Sequence, residues 1–156
     1  MSQDSPLLPG KLGNPALTLD KDSRLDPRLI PLFAPGDAMD NVLEDSATVD
    51  LNSSYEEALK YIGTVEANLE PFYESLYDAL PPVEGVTRRT QTIVDADDHV
   101  IRLYIHEPTE RTEPLPGIVH THGGGMVMCT AADLPYQRWR DELAASGLCV
   151  VGVEFR

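Results

Sequence analysis

Residues 117–126 read Gly117-Ile-Val-His-Thr-His-Gly-Gly-Gly-Met126, and residues 148–153 read Leu148-Cys-Val-Val-Gly-Val153. The first is a short apolar run that ends in three glycines. The second is a near-continuous apolar run of the kind buried on both faces of a parallel sheet. Between them, Asp133 to Ser146 repeats apolar residues at helical spacing. Trp139, Leu143 and Ala144 are the inward candidates of that helix, and Gly147 is its expected C-terminal stop. Strand, helix and strand in this order form a βαβ unit, which places the chain in the α/β class.

Upstream the period is two. Val86 to Val94 alternates, Asp95-Ala-Asp-Asp98 is a turn, and His99 to His106 alternates again, so a hairpin is expected. Further upstream the period is helical. Ser54 and Glu57 match a capping box, and Tyr55, Leu59, Ile62, Val65 and Leu69 recur at three to four residues. Pro71 predicts a break after Glu70, with a second short helix from Phe72 to Leu80. Residues 1–24 are rich in Pro, Gly, Asp and Ser without an apolar period and read as a disordered arm. Leu29, Ile30, Leu32 and Phe33 could form a short apolar patch. Residues 25–82 read as a helical N-terminal cap region, and residues 83–156 as an α/β core.

The chain has 156 residues and a net charge of −14, with a pI near 4.4. The first 80 residues carry ten of those negative charges. Phosphate backbones and anionic lipid repel such a surface, which argues against nucleic acid and membrane as partners. No apolar run approaches the roughly 18 residues of a membrane span, and the N-terminus lacks the basic and apolar regions of a signal peptide. A cytoplasmic location is expected, with Cys129 and Cys149 as two buried free thiols.

Three glycines in a row are costly to order. At the C-terminal edge of a strand they make sense where backbone N–H groups must approach an anionic oxygen. A flexible strand-to-helix connection is the plainer reading. A P-loop is excluded because Met126-Val127, not Lys-Ser/Thr, follows Gly125. The dinucleotide fingerprint fails because Met128 stands where its third glycine belongs. His120 and His122 share a strand face and could hold a metal, but no third ligand stands near them in sequence. The plainer expectation is that one packs in the sheet and the other hydrogen-bonds to the loop. Asp95, Asp97 and Asp98 resemble part of a calcium loop that lacks its glycine and distal glutamate, so a solvated turn is expected. His99 and His106 are expected on the strand surface, and Trp139 in the core.

His122-Gly-Gly-Gly125 after a strand, then a helix, then an apolar strand ending in Glu154-Phe-Arg156, resembles the hormone-sensitive-lipase-like branch of the α/β-hydrolases. Met126, Tyr136, Trp139-Arg140 and Leu143-Ala144 look most like its bacterial esterases. The resemblance implies the N-terminal half of an α/β-hydrolase fold, a mixed and mostly parallel sheet preceded by helical cap elements, with its first four strands in the order 1-2-4-3. It implies a serine-dependent carboxylic ester hydrolase that needs no cofactor and no metal, with a small-molecule ester as substrate. Gly124 and Gly125 would offer oxyanion-hole N–H groups, Gly123 would allow the bend, His122 would anchor the loop, and Met126 would line the acyl pocket. Replacing Gly124 is then expected to lower kcat far more than stability.

The family's Gly-x-Ser-x-Gly nucleophile elbow is absent from these 156 residues, and no histidine occupies the family's late catalytic position. The chain therefore reads as part of an esterase that needs a missing C-terminal half as partner. The alternatives are a non-catalytic remnant or binding module of the same fold and, third, a metal-binding protein using His120 and His122.

Overall fold

In the computed structural model, residues 14, 16–32, 42, 49–78, 80–111 and 113–155 are described, so most of the expected N-terminal arm and Phe33 lie outside the described residues. The chain divides into two compact units, residues 1–46 and 47–156. In the first, short 3-10 turns span Leu19–Lys21 and Pro27–Leu32. Leu29 and Ile30 are exposed there.

The second unit opens with helix α1, Tyr55–Tyr77. Although the sequence places this helix in the cap region 25–82, it shares its unit with the sheet. The capping box forms as read: Glu57 N–H donates to Ser54 Oγ at 3.2 Å, and Ser54 N–H donates to Glu57 Oε2 at 2.7 Å. Two donors that the first turn would leave unpaired are thereby satisfied. The break expected at Pro71 does not occur, and one helix runs through it. Proline removes one helical hydrogen bond. The apolar stripe nevertheless continues in phase across it, from Ile62, Val65 and Leu69 to Phe72, Tyr73 and Leu76, all at least half-buried. That shared burial holds both segments in one helix.

Strands β1, Val86–Val94, and β2, Val100–Pro108, form the expected hairpin, in register from Val94↔Val100 to Val86↔Pro108. Its turn is closed by Asp95 Oδ1, which accepts from the N–H groups of Asp97 (2.8 Å) and His99 (2.9 Å). Strand β3 is Gly117–Thr121, helix α2 is Leu134–Ala145, and strand β4 is Cys149–Val153. The sheet order is β1-β2-β4-β3. It is mixed: β3 and β4 pair in parallel, and the other two pairings are antiparallel. Gly147 ends α2 with φ +101, a conformation that favours glycine. Arg, Thr and Gln line the exposed edge strand β1, which discourages further pairing there.

The core of this unit includes Ile105, Val150, Ala131 and Ala144. Of the inward candidates on helix α2, Ala144 is buried and Leu143 half-buried, but Trp139 is not inward. Trp139 is 46% exposed, whereas Arg140 and Asp141 are fully buried beside Ala144. His106, expected on the surface, is buried too. The physical reason is mutual neutralisation: these three polar side chains satisfy one another against the sheet. Trp139 lies instead against His120, with ring centroids 4.7 Å apart. Both cysteines are free and half-buried. Among the described residues no helix is long and apolar enough to cross a membrane.

Candidate active-site loop and its buried support

The glycine loop leaves β3 at its C-terminal end. His122 is buried, and its Nδ1–H donates to the Gly123 carbonyl at 2.7 Å. Its ring stacks on Phe155, with centroids 4.2 Å apart. That hydrogen bond ties the His122 ring to the first glycine of the loop. Among the described residues its Nε2 has no hydrogen-bond partner, and it faces Glu154 Oε1 at 3.7 Å. Gly123 packs on Tyr136, where a Cβ would come 2.8 Å from the hydroxyl. Burial raises the Tyr136 pKa, so that hydroxyl stays protonated beneath the loop.

Gly124 and Gly125 have φ values of +118 and +62, and Met126 and Cys129 follow at +62 and +66. The Gly124 carbonyl accepts from the N–H groups of Val127 (3.2 Å) and Met128 (3.1 Å), which makes a tight turn. A Cβ on Gly124 would stand 1.8 Å from the Met128 carbonyl oxygen. That group is backbone and cannot rotate away, so Gly124 is required by the turn itself. Replacing it is therefore expected to harm folding as well as any chemistry, a larger stability cost than the sequence reading allowed. A Cβ on Gly125 would meet nothing within 4 Å. No described residue accepts a hydrogen bond from the Gly124 or Gly125 N–H. Met126 is 80% exposed at the tip. Farther along, Cys129 N–H donates to Glu66 Oε1 of α1 at 2.8 Å, and burial raises the Cys129 thiol pKa.

His120 and His122 do share a face, each ring 5.8 Å from that of Tyr136. Among the described residues they gather no third ligand. Among the described residues the one group of three potential ligands is Asp95, Asp97 and His99 at the hairpin turn. Asp95 is already engaged there with two backbone N–H groups and the His99 ring.

Behind the loop lies a buried polar chain that periodicity did not reveal. Asp141 accepts from Arg88 Nε (2.9 Å) and Nη2 (2.6 Å) and from His106 Nδ1 (2.7 Å). Arg140 Nε donates to His106 Nε2 at 3.1 Å, which fixes the neutral Nδ1–H tautomer of His106. Arg140 Nη2 donates to the Ala131 carbonyl at 2.7 Å, and Nη1 lies 3.4 Å from His120 Nδ1. Gly152 on β4 makes room, because a Cβ there would stand 2.8 Å from Nη1. Arg88 and His106 stand 34 to 53 residues before the helix residues they bind, so no local pattern joins them. The Arg140-Asp141 pair on an otherwise amphipathic helix was the available signal.

Burial, then the Arg140 charge, lowers the His120 pKa; burial is likewise the main cause of the lowered His106 pKa. In the unfolded chain a histidine takes up its proton near pH 6.5. Between that value and the lower folded pKa the unfolded state binds more protons, so stability rises with pH across this window. Thermal melts should therefore show a steady Tm above pH 7 and a fall from pH 6.5 to 5.5. A Tm that rises over that interval would contradict the neutral assignment.

Comparison with solved structures finds the fold of this chain similar to that of esterases over part of their length. Brefeldin A esterase, a bacterial homologue of human hormone-sensitive lipase, is 29% identical with a TM-score of 0.75, over 94% of this chain and 40% of that one. Esterase Est22 with p-nitrophenol is 24% identical with a TM-score of 0.69, over 88% and 39% of the two chains. Bacterial heroin esterase is 21% identical with a TM-score of 0.54, over 76% and 35%. At the last two identities the likeness concerns the fold alone. No protein-family model and no curated protein sequence matches the chain. The chain spans about 40% of the length of the esterases it matches.

Proposed function

We propose, on the premise that the chain carries the N-terminal half of an α/β-hydrolase fold resembling the hormone-sensitive-lipase-like esterases, that it serves a serine-dependent carboxylic ester hydrolase. Its contribution is the oxyanion hole. The observation that carries this reading is the turn at Gly124 and Gly125, whose left-handed backbone follows the C-terminal end of β3. As an ester carbonyl becomes tetrahedral, its oxygen gains negative charge. N–H groups already oriented toward that oxygen stabilise it, and loss of one such donor lowers kcat by about 10²–10³-fold. The N–H groups of Gly124 and Gly125 fill this role. His122 holds the start of the loop through the Gly123 carbonyl, and Met126 at the tip is offered to the acyl chain. A serine, an acid and a histidine from outside these residues supply attack and proton transfer. The substrate is a small-molecule ester, and the segment carrying the serine is the partner the chain requires.

The test is hydrolysis of a short-chain p-nitrophenyl ester by the polypeptide as its gene encodes it, beside its Gly125→Ala variant. Gly125 is the position of choice because a Cβ there meets no neighbour. An alanine at φ +62 strains the backbone by about 1–2 kcal/mol, and on the oxyanion reading its methyl crowds the open space beside the loop's N–H groups. A drop in kcat of about 100-fold with a cooperative melt retained is expected. Equal kcat in variant and parent overturns the oxyanion assignment. A parent without ester hydrolysis overturns the function and favours a non-catalytic module of the same fold, a reading otherwise supported by the lack of Gly-x-Ser-x-Gly in these residues.

A further inference from the structure

We propose that Glu154 and Arg140 form a clamp on Ala131 that positions the glycine loop. Its catalytic consequence rests on the oxyanion reading above, whereas its structural part rests on geometry alone. The loop leaves β3 at His122 and ends at Ala131, which is fully buried. The Ala131 N–H donates to Glu154 Oε2 at 3.1 Å, and its carbonyl accepts from Arg140 Nη2 at 2.7 Å. One residue is thus gripped by an anion at its donor and a cation at its acceptor, and both hydrogen bonds are charge-assisted.

Both gripping side chains stand on fixed supports. Glu154 directly follows β4, and its N–H donates to the Arg102 carbonyl at 2.9 Å. Arg140 is seated over Gly152 and held at Nε by His106. The sheet does not need the clamp, because β4 pairs with β2 and β3 through its backbone. Glu154 also reaches the other end of the loop, with Oε1 at 3.7 Å from His122 Nε2. Both ends of the glycine loop therefore converge on one carboxylate. A displacement of this anchor moves the Gly124 and Gly125 N–H groups relative to the developing oxyanion, and misplacement on the 1 Å scale lowers turnover steeply. Glu154 and Arg140 are positioning residues in this scheme, since neither touches substrate.

Glu154 is the residue to vary, because Arg140 is fully buried and its loss threatens folding. Glu154→Ala and Glu154→Gln are made in the polypeptide as its gene encodes it. Amide hydrogen exchange is followed for residues 123–131 and for the β1–β2 hairpin, alongside kcat and KM on a p-nitrophenyl ester. In Glu154→Ala, exchange in 123–131 should rise by about tenfold or more while the hairpin is unchanged. In the same variant kcat should fall by about 10–100-fold with KM within about twofold. Glu154→Gln keeps an oxygen that accepts from the Ala131 N–H, so it should restore both. A general structural role would speed exchange in the hairpin as well. Unchanged loop exchange in Glu154→Ala overturns the clamp, and faster loop exchange with unchanged kcat overturns its catalytic consequence. If the parent hydrolyses no ester, the proposed function fails, while loop exchange still decides the clamp.

Discussion

Gly124→Ala should lose stability and, on the proposed oxyanion role, turnover together. Its φ of +118 is a conformation almost reserved for glycine, and such strain costs on the order of 1–3 kcal/mol in any other residue. The added methyl would also lie 1.8 Å from the Met128 carbonyl oxygen, so the turn that returns Val127 and Met128 to the Gly124 carbonyl must open. Together these effects predict a stability loss of at least about 2–3 kcal/mol in urea unfolding. With the turn open, the neighbouring N–H groups no longer converge, and kcat should fall by more than about 100-fold. The pairing with Gly125→Ala is diagnostic, since that variant should keep most of its stability. A Gly124→Ala protein as stable as its parent would show that the turn is not folded as described.

Asp141→Ala should destabilise the fold by roughly 3 kcal/mol. Asp141 is buried and takes three hydrogen bonds, two from Arg88 and one from His106. Breaking a buried ion pair by deleting one member leaves the other charge uncompensated, typically at about 3–5 kcal/mol. The lower end applies because Arg88 is half-exposed and water can solvate it once released. His106 has no such outlet, and its Nδ1–H would be left without an acceptor in a dry site. Asp141→Asn keeps an acceptor oxygen and should lose less. Urea denaturation of the two variants measures the difference, and a loss below about 1 kcal/mol for Asp141→Ala would mean that the network contributes specificity without stability.

Much of this fold was legible because it is encoded locally. The hairpin follows from two alternating runs around Asp95-Ala-Asp-Asp98, the start of α1 from Ser54 and Glu57, and the end of α2 from Gly147. Each is a short-range rule of hydrogen bonding or backbone conformation. The continuity of α1 was not legible, because Pro71 is a strong local signal that a longer apolar stripe overrides. The inward side of α2 was legible only in part, since Ala144 is buried as expected and Trp139 is not. Helical spacing of apolar residues did not single out Arg140 and Asp141, which point inward because Arg88, His106 and the Ala131 carbonyl meet them there.

The same division holds at the candidate site. Sequence alone determined where the loop lies and which backbone groups it offers, since three glycines after an apolar strand announce an unusual backbone wherever they occur. It also determined that these 156 residues hold no Gly-x-Ser-x-Gly. Only the tertiary structure decided that Gly124 is sterically required by its own turn while Gly125 is not. Only it brought Glu154, Arg140 and His122 to the two ends of one loop. The reason is that charge pairing and burial act between residues far apart in the chain, and such distances become short only once the sheet has formed.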